Sequence, residues 1–84
     1  MKVLKFEADW CGSCKVFSKN IESMDLNLDN IQLENINIDE HQPVAIRYNI
    51  RSIPTCVIVD DSGNEVKRQV GMMTEAEFKK FVGE

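Results

Sequence analysis

Apolar and polar residues alternate from the start of the chain. Between Lys2 and Ala8, Leu4, Phe6 and Ala8 fall on one face and Val3, Lys5 and Glu7 on the other, the two-residue period of a strand. A tight turn follows at Asp9-Trp10. From Cys11 the period changes: Cys14, Phe17, Ile21 and Met24 are spaced by three, four and three residues, which is one stripe of an α-helix. The strand therefore passes into a helix at the cysteines. Asp25 to Asn30 is polar and turn-rich, and Ile31 to Ile38 returns to alternation, with Ile36 and Ile38 opposite Asn35 and Asn37. This predicts a second strand.

Residues 39 to 50 carry Pro43 in what is a helix's first turn, where its missing N–H does little harm, followed by Val44, Ala45, Ile46 and Tyr48. A short helix is expected, ended before Ile53-Pro54. Thr55 to Asp60 is a β-branched run interrupted only by Cys56, and Asp60-Asp61-Ser62-Gly63-Asn64 supplies turn chemistry before Glu65 to Val70, so the two runs form a hairpin. Thr74 and Glu77 have capping-box spacing, with Lys79 and Lys80 in the last turn and Phe78, Phe81 and Val82 as the buried stripe of a closing helix. The order is β-α-β-α-β-β-α. Its first β-α-β unit requires a parallel pair and its hairpin an antiparallel one, which gives an α/β fold with a four-stranded mixed sheet and three helices.

Eighty-four residues at 43% hydrophobic supply one small core and no large substrate-enclosing cavity, so a single domain over residues 1–84 is expected. Ten basic against fourteen acidic residues leave a formal net charge of -4, which speaks against a phosphate-tracking nucleic-acid surface. The longest apolar run is Cys56 to Val59, too short to cross a membrane, and the alternating N-terminus has no secretory apolar stretch. A cytoplasmic monomer is expected. Three cysteines is an odd number and does not suit a secreted disulfide scaffold, so the question is which two act together.

Trp10-Cys11-Gly12-Ser13-Cys14-Lys15 places two thiols three residues apart at the strand-to-helix junction. Free backbone N–H groups and the helix dipole favour an anion there, so Cys11 should ionise more readily than an ordinary cysteine and is the candidate nucleophile. Cys14 lies on the buried stripe within one turn of Cys11, as the attacker of a mixed disulfide must. Gly12 keeps the approach to Cys11 open, and Trp10 offers an apolar flank for a polypeptide. Two other readings stand beside this one. The pair can be half of a zinc site, although the remaining ligands, Cys56 and His41, lack the second close spacing such sites use. The cysteines can also be inert. Cys56 itself reads as a small buried hydrophobe, His41 as exposed, and Asp39 and Glu40 as a solvated face.

The run Ala8-Asp9-Trp10-Cys11-Gly12-Ser13-Cys14-Lys15, followed by Tyr48-Asn49-Ile50-Arg51-Ser52-Ile53-Pro54-Thr55, resembles the thioredoxin family. The resemblance covers almost the whole chain, since Ile38-Asp39, Pro43, the hairpin, Val70-Gly71 and the last helix follow in the same order. The family's N-terminal strand and helix have no counterpart. The resemblance implies a cis Ile53-Pro54 bond, with the Ile53 backbone facing the active-site disulfide and pairing with a substrate strand. It also implies that Gly71 lets a substrate main chain approach.

Three residues depart from the family pattern. Ser13 stands where the family commonly has proline and is placed to donate a hydrogen bond to a thiolate. Lys5 stands where typical members bury an acid beneath the second cysteine, and Asn35 where they carry that acid's lysine. Lys5 has two readings: a solvated residue paired with Glu7, or an ammonium that approaches Cys14 and favours its thiolate. The function implied is reduction of protein disulfides by dithiol exchange through Cys11 and Cys14, needing no organic cofactor and no metal, with disulfide-containing proteins as substrates and a thioredoxin-reductase-like enzyme or glutathione as recycling partner. A glutathione-dependent, glutaredoxin-like enzyme ranks lower, because Ile53-Pro54-Thr55 and the single Gly71 do not reproduce that branch's usual elements. A zinc-binding or redox-silent interaction module is the alternative from another class.

Overall fold

The computed structural model describes residues 1–26 and 31–83. The elements are β1 (Lys2–Glu7), α1 (Gly12–Ser23), β2 (Gln32–Asn37), α2 (Gln42–Arg47), β3 (Thr55–Val59), β4 (Glu65–Val70) and α3 (Glu75–Phe81). Their order is the expected one, and residues 27–30 of the expected turn from Asp25 to Asn30 lie outside the described residues. The sheet has the order β2-β1-β3-β4. β1 runs parallel to β2, from Lys2 opposite Gln32 to Glu7 opposite Asn37, and antiparallel to β3, from Lys2 opposite Val59 to Phe6 opposite Thr55. β3 and β4 form the antiparallel hairpin.

The closing helix starts as its spacing requires. Thr74 accepts the Glu77 N–H on its side chain, and Glu77 accepts the Thr74 N–H, so two otherwise unpaired helix donors are satisfied reciprocally. At the hairpin, Asp60 leaves the strand. Its Oδ1 accepts N–H groups from Ser62 and Asn64, each at 2.9 Å, which is why β3 stops at Val59.

Each face of the sheet carries its own core. On one face, Val3, Cys56 and Ile58 pack with Phe17 and Ile21 of α1 and Phe78 and Phe81 of α3. On the other, Leu4, Phe6, Ile36, Val57 and Val59 pack with Tyr48 and, partly buried, Val44 and Ala45 of α2. β1 is therefore an interior strand covered on both sides. Its alternation separates two buried faces, where the sequence pattern leads one to expect a buried face and a wet one. Lys5 follows from this: it is 1% exposed, so its reading as a solvated residue is corrected, while its pairing with Glu7 is present.

Candidate active site

The end of β1 delivers the chain directly to the first turn of α1. Cys11 is the N-cap of that helix: its backbone is extended, and its Sγ accepts the Cys14 N–H at 3.2 Å. This satisfies one of the helix's free donors with sulfur, a position where backbone N–H groups stabilise negative charge. Cys11 and Cys14 form a disulfide with Cα atoms 5.2 Å apart. Ala8, Cys11 and Cys14 make a small buried cluster, against which Ile38 and Ile53 pack. Ser13 Oγ lies 3.4 Å from Cys11 Sγ.

The residues around the disulfide come from three separate parts of the chain. The Ile53–Pro54 bond is cis, and the Pro54 carbonyl accepts the Gly71 N–H at 2.8 Å, which brings the end of β4 beside the proline. Gly71 has φ +91°, and a Cβ there would meet nothing within 4 Å. Gly12 likewise has open space where a Cβ would stand. Trp10 is 69% exposed, and Val70 and Met72, which flank Gly71, are exposed as well. Trp10, Val70 and Met72 and the space above Gly12 and Gly71 are thus open, while Cys11 and Cys14 are themselves largely covered. A concavity of about 700 Å³ lies on the α2 face of the sheet among Leu4, Ile36, Tyr48 and Val59.

The family model described as Thioredoxin matches residues 1–84. The chain belongs to the thioredoxin family. It is 39% identical over 70 residues to a thioredoxin of Chlamydia pneumoniae, covering 83% of this chain and 68% of that one. Against a thioredoxin of Bacillus subtilis it is 33% identical over 78 residues, covering 92% and 74%. The X-ray structure of Fasciola hepatica thioredoxin superposes with a TM-score of 0.83 at 26% identity, covering 96% of this chain and 76% of that one. With the Cys11–Cys14 pair bonded at a helix start, this membership makes the chain a thiol-disulfide oxidoreductase.

Two features of the site escape the sequence pattern. The Trp10 indole donates to Asp39 Oδ2 at 2.9 Å, and Asn37 Nδ2 donates to Asp9 Oδ1 at 3.2 Å, so the residues before Cys11 are tied to the loop after β2. Asp39 is exposed, as its reading on a solvated face has it, and serves there as a tether as well. Its signal is weak in the sequence: an Asn-x-Asp step after a strand, where Asn37 Oδ1 accepts the Asp39 N–H at 2.9 Å. The second feature is Lys5, whose ammonium donates to Ser18 Oγ at 2.6 Å and pairs with Glu7. Asn35 lies directly opposite Lys5 in β2 and Cys56 directly opposite in β3.

Cys56 is free and buried. Burial pushes its thiol up to about 12, with the nearby Lys5 charge pulling the other way. His41 is exposed and lines the concavity on the opposite face of the sheet from Cys56. The four candidate zinc ligands are accordingly not gathered, and among the described residues no group of three or more His, Cys, Asp or Glu is placed to hold a metal ion. Among the same residues no helix is long and apolar enough to cross a membrane.

Proposed function

We propose that this thioredoxin-like domain, residues 1–84, reduces disulfides in proteins through its Cys-Gly-Ser-Cys motif. In the reduced protein the Cys11 thiolate attacks one sulfur of a target disulfide, forming a mixed disulfide and expelling the other target sulfur as a thiolate. Cys14 then loses its proton and attacks the Cys11 sulfur. The Cys11–Cys14 bond forms, the bond to the target breaks, and the target leaves as a dithiol, reduced by two electrons. The observation that carries this reading is the disulfide at the start of α1, with Cys11 Sγ already accepting the Cys14 N–H. That N–H is placed to stabilise the thiolate in the reduced state, and Ser13 Oγ adds a second donor.

The substrate strand binds across Trp10, Gly12, Ile53, Pro54 and Gly71. Open space above Gly12 and Gly71 supports this, since an extended main chain needs close approach there. The exposed Trp10, Val70 and Met72 supply apolar contact on either side. Lys5 and Ser13 modulate the two thiols. The domain works in the cytoplasm as a monomer, with no cofactor beyond its cysteine pair, and a thioredoxin-reductase-like enzyme or glutathione returns it to the dithiol.

The test is turnover of a protein disulfide with a chemical dithiol as electron source, comparing the wild-type protein with Cys11→Ser. Catalysis that vanishes in the variant supports the reading. Absence of catalysis by the wild-type protein overturns it, and turnover with glutathione alone, where a thioredoxin reductase fails, replaces it with the glutaredoxin-like one.

A further inference from the structure

Lys5 is 1% exposed, a charged side chain buried as deeply as the core phenylalanines, and the disulfide-exchange steps above assign its modulating role to no particular step. A buried ammonium loses its hydration and persists only where partners replace water. Here Glu7 and Ser18 do so. Their positions carry information. Ser18 lies four residues after Cys14 on α1, so the two side chains are neighbours on one helix face, and the ammonium, 2.6 Å from Ser18 Oγ, is held against the face of α1 that carries Cys14. Glu7 precedes Ala8, which packs directly against Cys11 and Cys14, and its side chain is 28% exposed. The ammonium is the inner member of the pair and the carboxylate the outer.

We propose that the Lys5–Glu7 pair, anchored on Ser18, is a positioning device for the Cys14 proton: Lys5 favours the Cys14 thiolate in the resolving step, and Glu7 limits that effect. The inference rests on the disulfide-reductase reading of the same site. In that step Cys14 Sγ gives its proton to solvent, its electron pair forms the bond to Cys11 Sγ, and the target thiolate departs with the pair from the broken bond. A positive charge held against the helix face that carries Cys14 lowers the cost of the first event.

The other titratable or polar groups around Lys5 leave Cys14 as the responsive partner. Across the sheet stand the neutral Asn35 and Cys56, the latter a thiol that stays protonated at neutral pH. α1 presents Phe17, whose ring centroid is 6.0 Å from the ammonium, while its Lys15, Lys19 and Glu22 are exposed. From α3, Phe78 packs against Phe17, with Glu75, Glu77 and Lys80 exposed and Lys79 half-buried.

The experiment is an NMR titration of the Cys14 Cβ resonance in the fully reduced protein, for wild type, Lys5→Met and Glu7→Gln, with single-turnover reduction of a protein disulfide measured on the same samples. Removing the ammonium raises the Cys14 midpoint, by about one pH unit or more, and slows resolution about tenfold at neutral pH. Removing the carboxylate lowers the midpoint. These opposite signs separate the proposal from a merely structural role, which moves both variants alike. Glu7 is partly exposed, so Glu7→Gln remains readable even where Lys5→Met fails to fold. An unchanged midpoint in Glu7→Gln, or a shift of the same sign in both variants, overturns the proposal. The titration needs no turnover, so its outcome is independent of whether the protein reduces disulfides.

Discussion

The three cysteines of this chain occupy two regions that treat the same side chain in opposite ways. Cys11 and Cys14 stand where a strand gives way to a helix, and the Cys14 N–H there donates to the Cys11 sulfur. Cys56 stands in the middle of β3, where every backbone group is in the ladder and no solvent reaches the thiol. The first region stabilises negative charge on sulfur and leaves open surface beside it. The second penalises that charge, pushing the Cys56 thiol to about 12. Reactivity thus follows the local backbone more than the residue type, and exposure alone is a poor guide, since Cys11 is itself mostly covered.

The comparison breaks most visibly by removing one thiol from each region. Cys11→Ser is expected to cut disulfide reduction by on the order of a thousandfold or more, and Cys14→Ser to leave a mixed disulfide with the target that mass spectrometry of the reaction mixture detects. Cys56→Ser is expected to retain turnover within about twofold but to lose about 1–3 kcal/mol of stability, because a hydroxyl replaces a thiol in an apolar site. Chemical denaturation measures the loss. A Cys56→Ser protein that loses turnover while remaining folded removes the distinction between the regions.

Alkaline pH sharpens it. The folded-state value of Cys56 lies above its ordinary 9.0, so the folded form holds the proton longer than the unfolded chain does. The contribution is complete below about 9 and is lost as pH rises toward about 12. Stability of the wild-type protein should therefore fall more steeply over that window than that of Cys56→Ala, as followed by thermal unfolding at each pH. The smallest effect is at the start of α3: Thr74→Ala removes the cap at a cost of about 1 kcal/mol, with the redox behaviour of Cys11 and Cys14 untouched.

The element order was legible because each junction carries its own chemistry: a change of period at Cys11, Pro43 in a first turn, Asp60 to Asn64 between strands, Thr74 with Glu77. The site was legible for the same reason, since the cysteine pair sits on a period change. What periodicity does not carry is which helices cover which face. Lys5 alternates like a wet residue and is buried because β1 is interior and α1 supplies Ser18 from thirteen residues away. The Trp10–Asp39 tether spans 29 residues, and its local trace is only the Asn-x-Asp step after β2. The cis bond before Pro54 came from the resemblance, because the local residues fit a loop's end equally well.

The most direct measurement of the central claim is a redox titration of the purified protein, counting free thiols by mass after alkylation at each poise. The expected result is one reversible two-electron step confined to Cys11 and Cys14, near the roughly -270 mV of thioredoxin, with Cys56 unpaired throughout. The contradicting result is a protein in which no Cys11–Cys14 disulfide forms at any poise.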